Sequence, residues 1–152
     1  MLDVDGVLTD GRLHFGPRGE MLKVFHVRDG HGIKELDAAG IAVAVISGRK
    51  SPMVTARCRE LGVAHVFQGQ QDKLAPFERL RTKLGIPSSQ CACIGDDVPD
   101  IPLMRKVGLA FAVNDAHPSA KEAAHIVTAL PGGHGAVREA CDYLIAARSG
   151  AS

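Results

Sequence analysis

Acidic residues stand at positions 3, 5 and 10 of the opening stretch MLDVDGVLTD, and a second acidic group, GDDVPD, carries Asp96, Asp97 and Asp100. Between them lie Ser47 in ISGR and Lys73 in QQDKL. Taken singly these are ordinary residues, since an Asp behind a strand is more often a turn or cap residue. Together they are the reagents of phosphoryl transfer. Asp3 and Asp96 can supply hard oxygen ligands to Mg2+, which usually takes one or two carboxylates and keeps several waters. The metal and the Lys73 ammonium would neutralise a phosphate dianion that otherwise repels an attacking carboxylate. Asp3 would be the nucleophile, forming an aspartyl-phosphate. Asp5 could protonate the leaving alkoxide and later activate water, and Ser47 would hydrogen-bond a phosphoryl oxygen. Phosphate monoesters hydrolyse so slowly that enhancements can approach ~10²¹, so this many groups is not excessive.

The elements that must position these groups are legible as short apolar runs alternating with helical patterns, which argues for parallel strands joined by crossover helices. Strands are expected at 1–5, 42–47, 65–67, 91–95, 109–112 and 126–127. In an open parallel sheet, ligands bind beyond the carboxyl ends of the strands, and Asp3, Asp5, Ser47 and Asp96 all fall at such ends. SPMVTARCRELG reads as a helix capped at Ser51, with Pro52 in its first turn and a stop at Gly62. DKLAPFERLRTKLG reads as another, from Asp72 to Gly85, with Leu74, Phe77, Leu80 and Leu84 on one face. GAVREACDYLIAAR is a final amphipathic helix. One segment breaks the alternation: 12–15 and 23–28 read as two strands around the Gly16-Pro17-Arg18-Gly19 turn, a hairpin inserted before a helix at 33–39.

Composition narrows the function classes. The 152 residues make one domain, 1–152, and 45% of them are hydrophobic with no Trp and one Tyr, so the core must be mainly Val, Ile, Leu and Ala. The 18 basic and 17 acidic residues are interspersed, without the basic footprint of a nucleic-acid partner. The longest apolar run, IAVAVI, is too short to span a bilayer, and nothing at the N-terminus reads as a signal peptide. The four cysteines match neither a redox pair nor a zinc knuckle, which suits reduced thiols in a cytoplasmic protein. His14, His65, His117, His125 and His134 have no metal-ligand partner at useful spacing.

DVDGVLTD resembles the DxDGxxTD pattern of the haloacid dehalogenase-like phosphatase superfamily, and ISGR, DK and GDDVPD follow as its second, third and fourth motifs in order. The dehalogenases lack an acid at the second position, so Asp5 favours a phosphatase. The resemblance implies a three-layer Rossmann-like α/β fold with a mainly parallel sheet. It makes Asp3 nucleophile and metal ligand, and Asp5 general acid/base and, through its backbone carbonyl, a further ligand. It gives Ser47 and Lys73 to the phosphate and Asp96 to the metal, with Asp97 and Asp100 assisting. The gaps between motifs hold a hairpin and single helices, leaving no room for a cap domain.

At finer grain DVDGVLTDG, FHVRDGHGIK, SGRKSPMVTARCRELG, QGQQDKL and GGHGAVREACDYLI together resemble the 3-deoxy-D-manno-octulosonate (Kdo) 8-phosphate phosphatases. That likeness implies Mg2+, with Mn2+ or Co2+ as substitutes, a phosphorylated sugar acid as substrate, and a place in lipopolysaccharide biosynthesis in the cytoplasm. It implies a homotetramer in which hairpins pack together and a neighbouring subunit helps to enclose each site. It also implies substrate contacts from His26, Val27, Arg28, Asp29, Gly30, Lys34, Arg49 and Arg57. His134 stands where arginine is frequent in that family, and the tail beyond the last helix is short. Only Met1 and Leu2 precede Asp3, where a buried strand runs about five or six residues, so the first strand is expected to be truncated relative to family members. Three alternatives are weighed. A phosphatase for a nine-carbon sugar acid tends to have an acid where Arg49 stands. A phospho-accepting receiver domain would carry its Asp at the end of strand three, where this chain has Phe67-Gln68-Gly69. An idle scaffold would show decayed motifs, and all four are intact.

Overall fold

The structure, a computed structural model, describes residues 1–150. A hairpin, β1 (His14–Gly16) and β2 (Gly19–Leu22), precedes α1 (Val27–Ala38). Then come β3 (Ala44–Ile46), α2 (Pro52–Leu61), β4 (His65–Phe67), α3 (Leu74–Leu84) and β5 (Ala92–Gly95). The chain ends with α4 (Ile101–Met104), β6 (Leu109–Ala112), α5 (Pro118–Ala123), β7 (Ile126–Val127) and α6 (Ala136–Ser149).

The sheet is parallel, with β4 beside β3 on one side and the order β5-β6-β7 on the other. Leu2 fills the gap, bridging Val45 on one side and Ile94 on the other. Its N–H donates to Ala44 O at 2.8 Å, and Ile94 N–H donates to Met1 O at 3.0 Å. The first residues of the chain therefore lie at the centre of the sheet. They form a single bridged position rather than the strand expected over 1–5, because the chain leaves the ladder at Val4. There Val4 O accepts the N–H groups of Val7, Leu8 and Thr9, closing one tight turn.

Parallel crossovers are right-handed. Steps from the centre outward through β3 to β4 place α1 and α2 on one face. The return to β5 and the steps to β6 and β7 place α3, α4 and α5 on the other. Contacts agree: α1 packs on α2 and α6, and α4 on α3 and α5. Ile33, Leu36, Val137 and Ala140 fill one interlayer space, and Phe77, Leu103 and Met104 are buried with them in the same core. Gly62 and Gly85 end α2 and α3 in the left-handed conformation, with φ of 76° and 67°, as their positions in the sequence require. At the amino end of the sheet an apolar cavity of about 360 Å³ opens beside Met1, lined by Leu36, Ile41, Leu80, Phe111 and Leu144 among others. No helix among the described residues is long and apolar enough to cross a membrane.

The hairpin differs from expectation at its second strand. Its ladder stops at Leu22, and residues 27 and 28 open α1 instead of closing a strand. His26 Nδ1 accepts the Arg28 N–H at 3.2 Å and so caps the helix. Two glycines masked the early start of α1, since Gly is a poor helix former. They are there for contact. A Cβ on Gly30 would lie 2.3 Å from Arg57 Nη2, and one on Gly32 3.0 Å from Cys141 Cβ.

Candidate active site

At the carboxyl ends of the central strands, Asp3 and Asp96 meet Lys73 and Asp100 to form a floor. Lys73 Nζ is 2.8 Å from Asp3 Oδ1 and 2.6 Å from Asp100 Oδ1. The other Asp100 oxygen accepts the N–H groups of Asp96 at 3.0 Å and Asp97 at 3.2 Å. Asp100 thus fixes both the ammonium and the turn that carries Asp96. Gly6 makes room for this arrangement: its φ is +87°, and a Cβ there would lie 2.1 Å from Asp96 Oδ2.

Carboxylate oxygens of Asp3, Asp96 and Asp100 lie within 4.8 Å of one another. One ammonium is set against three carboxylates. Burial, and then the neighbouring carboxylates, push both Asp3 and Asp96 above the ordinary carboxylate range although Lys73 pulls the other way. Burial would lower the Lys73 ammonium, but Asp3 and Asp100 outweigh it and hold the group above its usual value. A crowded oxygen set short of positive charge fits a hard divalent cation. Asp3 and Asp96 are the residues to hold it. Asp100 has both oxygens engaged by Lys73 and backbone amides, so it braces the set.

Ser47 is buried at the end of β3, where its N–H donates to Phe67 O at 2.8 Å and its Oγ accepts the Arg49 N–H at 3.3 Å. Asp5 lies at the rim. Its Oδ1 pairs with Lys23 Nζ and its Oδ2 lies 3.7 Å from Arg49 Nε. Glu20 completes the group, 2.9 Å from Lys23 and 3.5 Å from Arg49. Burial would lower the Lys23 ammonium, but its contacts with Asp5 and Glu20 prevail and raise it.

The residues that the sequence assigned to substrate divide into two groups. Val27, Arg28, Lys34 and Arg49 are exposed, and Arg28 approaches Gly135, whose added Cβ would lie 3.9 Å from Arg28 Nη2. Asp29, Gly30 and Arg57 face inward. Asp29 Oδ1 accepts the Arg138 N–H in the first turn of α6 at 2.8 Å, and burial pushes its carboxyl up. Arg57 donates to His26 O at 3.5 Å and pairs with Glu60 at 2.9 Å. These contacts shape the loop around His26.

A family model described as haloacid dehalogenase-like hydrolase matches residues 62–138. The 3-deoxy-D-manno-octulosonate 8-phosphate phosphatase of Escherichia coli K12 is 51% identical over 148 residues, 97% of this chain and 79% of its own length. The chain belongs to the haloacid dehalogenase-like hydrolases. Among solved relatives is the same phosphatase from Moraxella catarrhalis, in complex with magnesium, phosphate and Kdo. It superposes with a TM-score of 0.93 at 42% identity, covering 96% of this chain and 84% of that one. The cobalt-bound phosphatase of Haemophilus influenzae gives 0.94 at 45% identity, covering 97% and 86%.

Within this hydrolase fold the hairpin and α1 are all that separate the Asp3 loop from Ser47 among the described residues, so no cap covers the crevice. Two contributions escaped sequence reasoning. Lys23 and Glu20 form a pair that an extended segment does not signal, because residues three apart on a strand point to opposite faces. Gly132 and Gly133 brace the Asp3 loop: an added Cβ would lie 1.7 Å from Gly6 O and 2.5 Å from Asp10 N respectively. The close-set glycines of PGGHG were their signal.

Proposed function

We propose that this protein is a Mg2+-dependent phosphatase that hydrolyses 3-deoxy-D-manno-octulosonate 8-phosphate to Kdo and phosphate, in lipopolysaccharide biosynthesis. The observation that carries the reading is the floor, where Asp3 and Asp96 crowd together beside the buried Lys73. Asp3 and Asp96, with the Asp5 carbonyl, would hold Mg2+, which supplies positive charge to the phosphoryl oxygens when bound. Lys73 holds the Asp3 carboxylate in place and pairs with a phosphoryl oxygen. Ser47 donates a hydrogen bond to another. Asp3 attacks phosphorus as the bond to the sugar oxygen breaks, and Asp5 delivers a proton to that oxygen. Asp5 then takes a proton from the water that releases phosphate from Asp3. His26, Arg28, Lys34 and Arg49 offer donors and cations to the hydroxyls and carboxylate of the sugar acid.

The absence of a cap leaves the crevice to be closed by a second subunit. Leu13, Phe15, Met21, Leu22, Val24 and Val27 are all exposed on and beside the hairpin, an apolar surface suited to packing in a homotetramer. A single catalytic domain working in the cytoplasm is consistent with four free thiols. Phosphate release from Kdo 8-phosphate with and without Mg2+, compared with a nine-carbon sugar-acid phosphate, tests the reading. The expected result is Mg2+-dependent turnover with higher kcat/KM for the eight-carbon ester, lost in Asp3→Asn. Preference for the nine-carbon ester would overturn the substrate.

A further inference from the structure

The rim is a closed ring of four charges. Asp5 touches Lys23 and Arg49, and Glu20 touches the same two cations. Three segments supply it: the loop after Asp3, the hairpin, and the turn after Ser47. The Lys23 side chain is only 2% exposed, whereas that of Arg49 is 43% exposed. Lys23 is therefore enclosed by its two carboxylates, while Arg49 keeps a free face toward solvent. A carboxylate able to give a proton to a leaving oxygen must be held in one rotamer at hydrogen-bond reach. Asp5 sits inside the tight turn that Val4 O closes, and the side-chain partners of its carboxylate are these two cations. Asp100 does for Lys73 and Asp96 what the hairpin does for Asp5.

We infer that Lys23 is a positioning residue for the phosphatase reaction, holding Asp5 in the orientation from which it protonates the leaving group, and that the hairpin serves catalysis through it. The inference rests on Asp5 being the general acid of the proposed function. It makes a distinction that a purely structural lysine does not. Proton delivery matters for an alkyl ester, whose alkoxide is a poor leaving group, and little for p-nitrophenyl phosphate, whose phenolate leaves unaided.

Lys23→Met, measured on the intact Mg2+-loaded enzyme, is expected to lower kcat/KM for Kdo 8-phosphate by about 10–100-fold, within the range that general acid catalysis contributes. For p-nitrophenyl phosphate the expected loss is under about threefold. Lys23→Arg should recover most of the lost rate. In an Asp5→Asn background, Lys23→Met should cost less than about twofold more, because a residue acting through Asp5 has nothing left to position. Glu20→Gln provides a milder second variant with the same contrast, about threefold on the alkyl ester. Equal losses on both esters, no loss on either, or additive losses with Asp5→Asn would overturn the inference. If the wild-type enzyme did not turn over Kdo 8-phosphate, the substrate reading would fail, and the contrast would be read on another alkyl phosphate that it hydrolyses.

Discussion

Lys73 and Lys23 are both buried ammonium groups lying between two carboxylates, and what surrounds each pair differs. Lys73 stands at the start of α3 and reaches Asp3 and Asp100, all three fixed to the carboxyl end of the sheet. Its cluster has three carboxylates to one ammonium and is left short of positive charge. Lys23 comes from the hairpin, and its cluster closes on itself with two acids and two bases. The floor is therefore complete only with a cation added, and its geometry is set by the strands. The rim is neutral as it stands, and its geometry depends on a hairpin outside the sheet. Cation binding and attack on phosphorus belong on the first, and proton delivery and contact with the sugar acid on the second.

The largest effects should follow from breaking the floor. Asp3→Asn is expected to lower Mg2+-dependent phosphate release by at least ~10⁴-fold, as loss of a nucleophile does. The same variant should raise the thermal midpoint of the metal-free protein, because one of three crowded carboxylates no longer carries charge. Lys73→Met should do the reverse to stability, costing about 3–5 kcal/mol by urea unfolding in EDTA, since it strands Asp3 and Asp100 without their cation. Lys23→Met leaves Arg49 to both rim acids and should cost well under half as much. Equal stability losses in the two lysine variants would dissolve the distinction between floor and rim.

Most of the floor was legible in the sequence because Asp3 and Asp96 lie at strand ends, where a run of apolar residues stops at a charge. Ser47 stands at another such end and Lys73 at the start of the helix that follows β4, and the sheet brings their segments together. Asp100 was visible as an acid four residues beyond Asp96, but its work as a brace depends on backbone amides that no side-chain pattern reports. The rim was hidden for a different reason. Lys23 and Glu20 stand in a short amphipathic hairpin, where charged residues are expected on a solvated face, and only the fold turns that face onto Asp5. The start of α1 was misplaced because Gly30 and Gly32 lower helix propensity, and their purpose is contact with α2 and α6. Local propensity cannot express a close approach between distant segments.

The excess charge of the floor gives a pH dependence with a definite sign. Asp3 and Asp96 are pushed above the ordinary carboxylate range by burial first, and then by Asp100 in the case of Asp3 and by Asp3 and Asp100 in the case of Asp96. The folded metal-free protein then retains protons that the unfolded chain has released. Its stability should fall as pH rises from about 4, the unfolded value, to about 8, the value reached by Asp96. A cation bound by these carboxylates displaces the protons. The rise in thermal midpoint on adding saturating Mg2+ should be larger at pH 8 than at pH 5. A rise independent of pH would put the cation elsewhere and leave the floor no different in kind from the rim.

The smallest effects sharpen the boundary of the rim itself. Arg49 and Arg57 were both expected to meet substrate, and each lies 6.0 Å from a phenylalanine ring centre, Phe15 for Arg49 and Phe25 for Arg57. Among the described residues Arg49 pairs with the two acids of the ring and keeps 43% of its side chain exposed, so a carboxylate on the substrate can compete for that face. Arg57 is 17% exposed, and its guanidinium fills the space that a side chain at residue 30 would need. It holds α1 against α2 and has little left to offer. Arg49→Met should lower kcat/KM for the sugar-acid phosphate about tenfold, the worth of one charge-assisted hydrogen bond. Arg57→Met should change it less than about twofold, while removing ~0.5–1 kcal/mol of stability. The opposite ranking would move the substrate away from the ring and toward the α1–α2 seam, and Lys23 would then guard Asp5 without any part in reading the sugar.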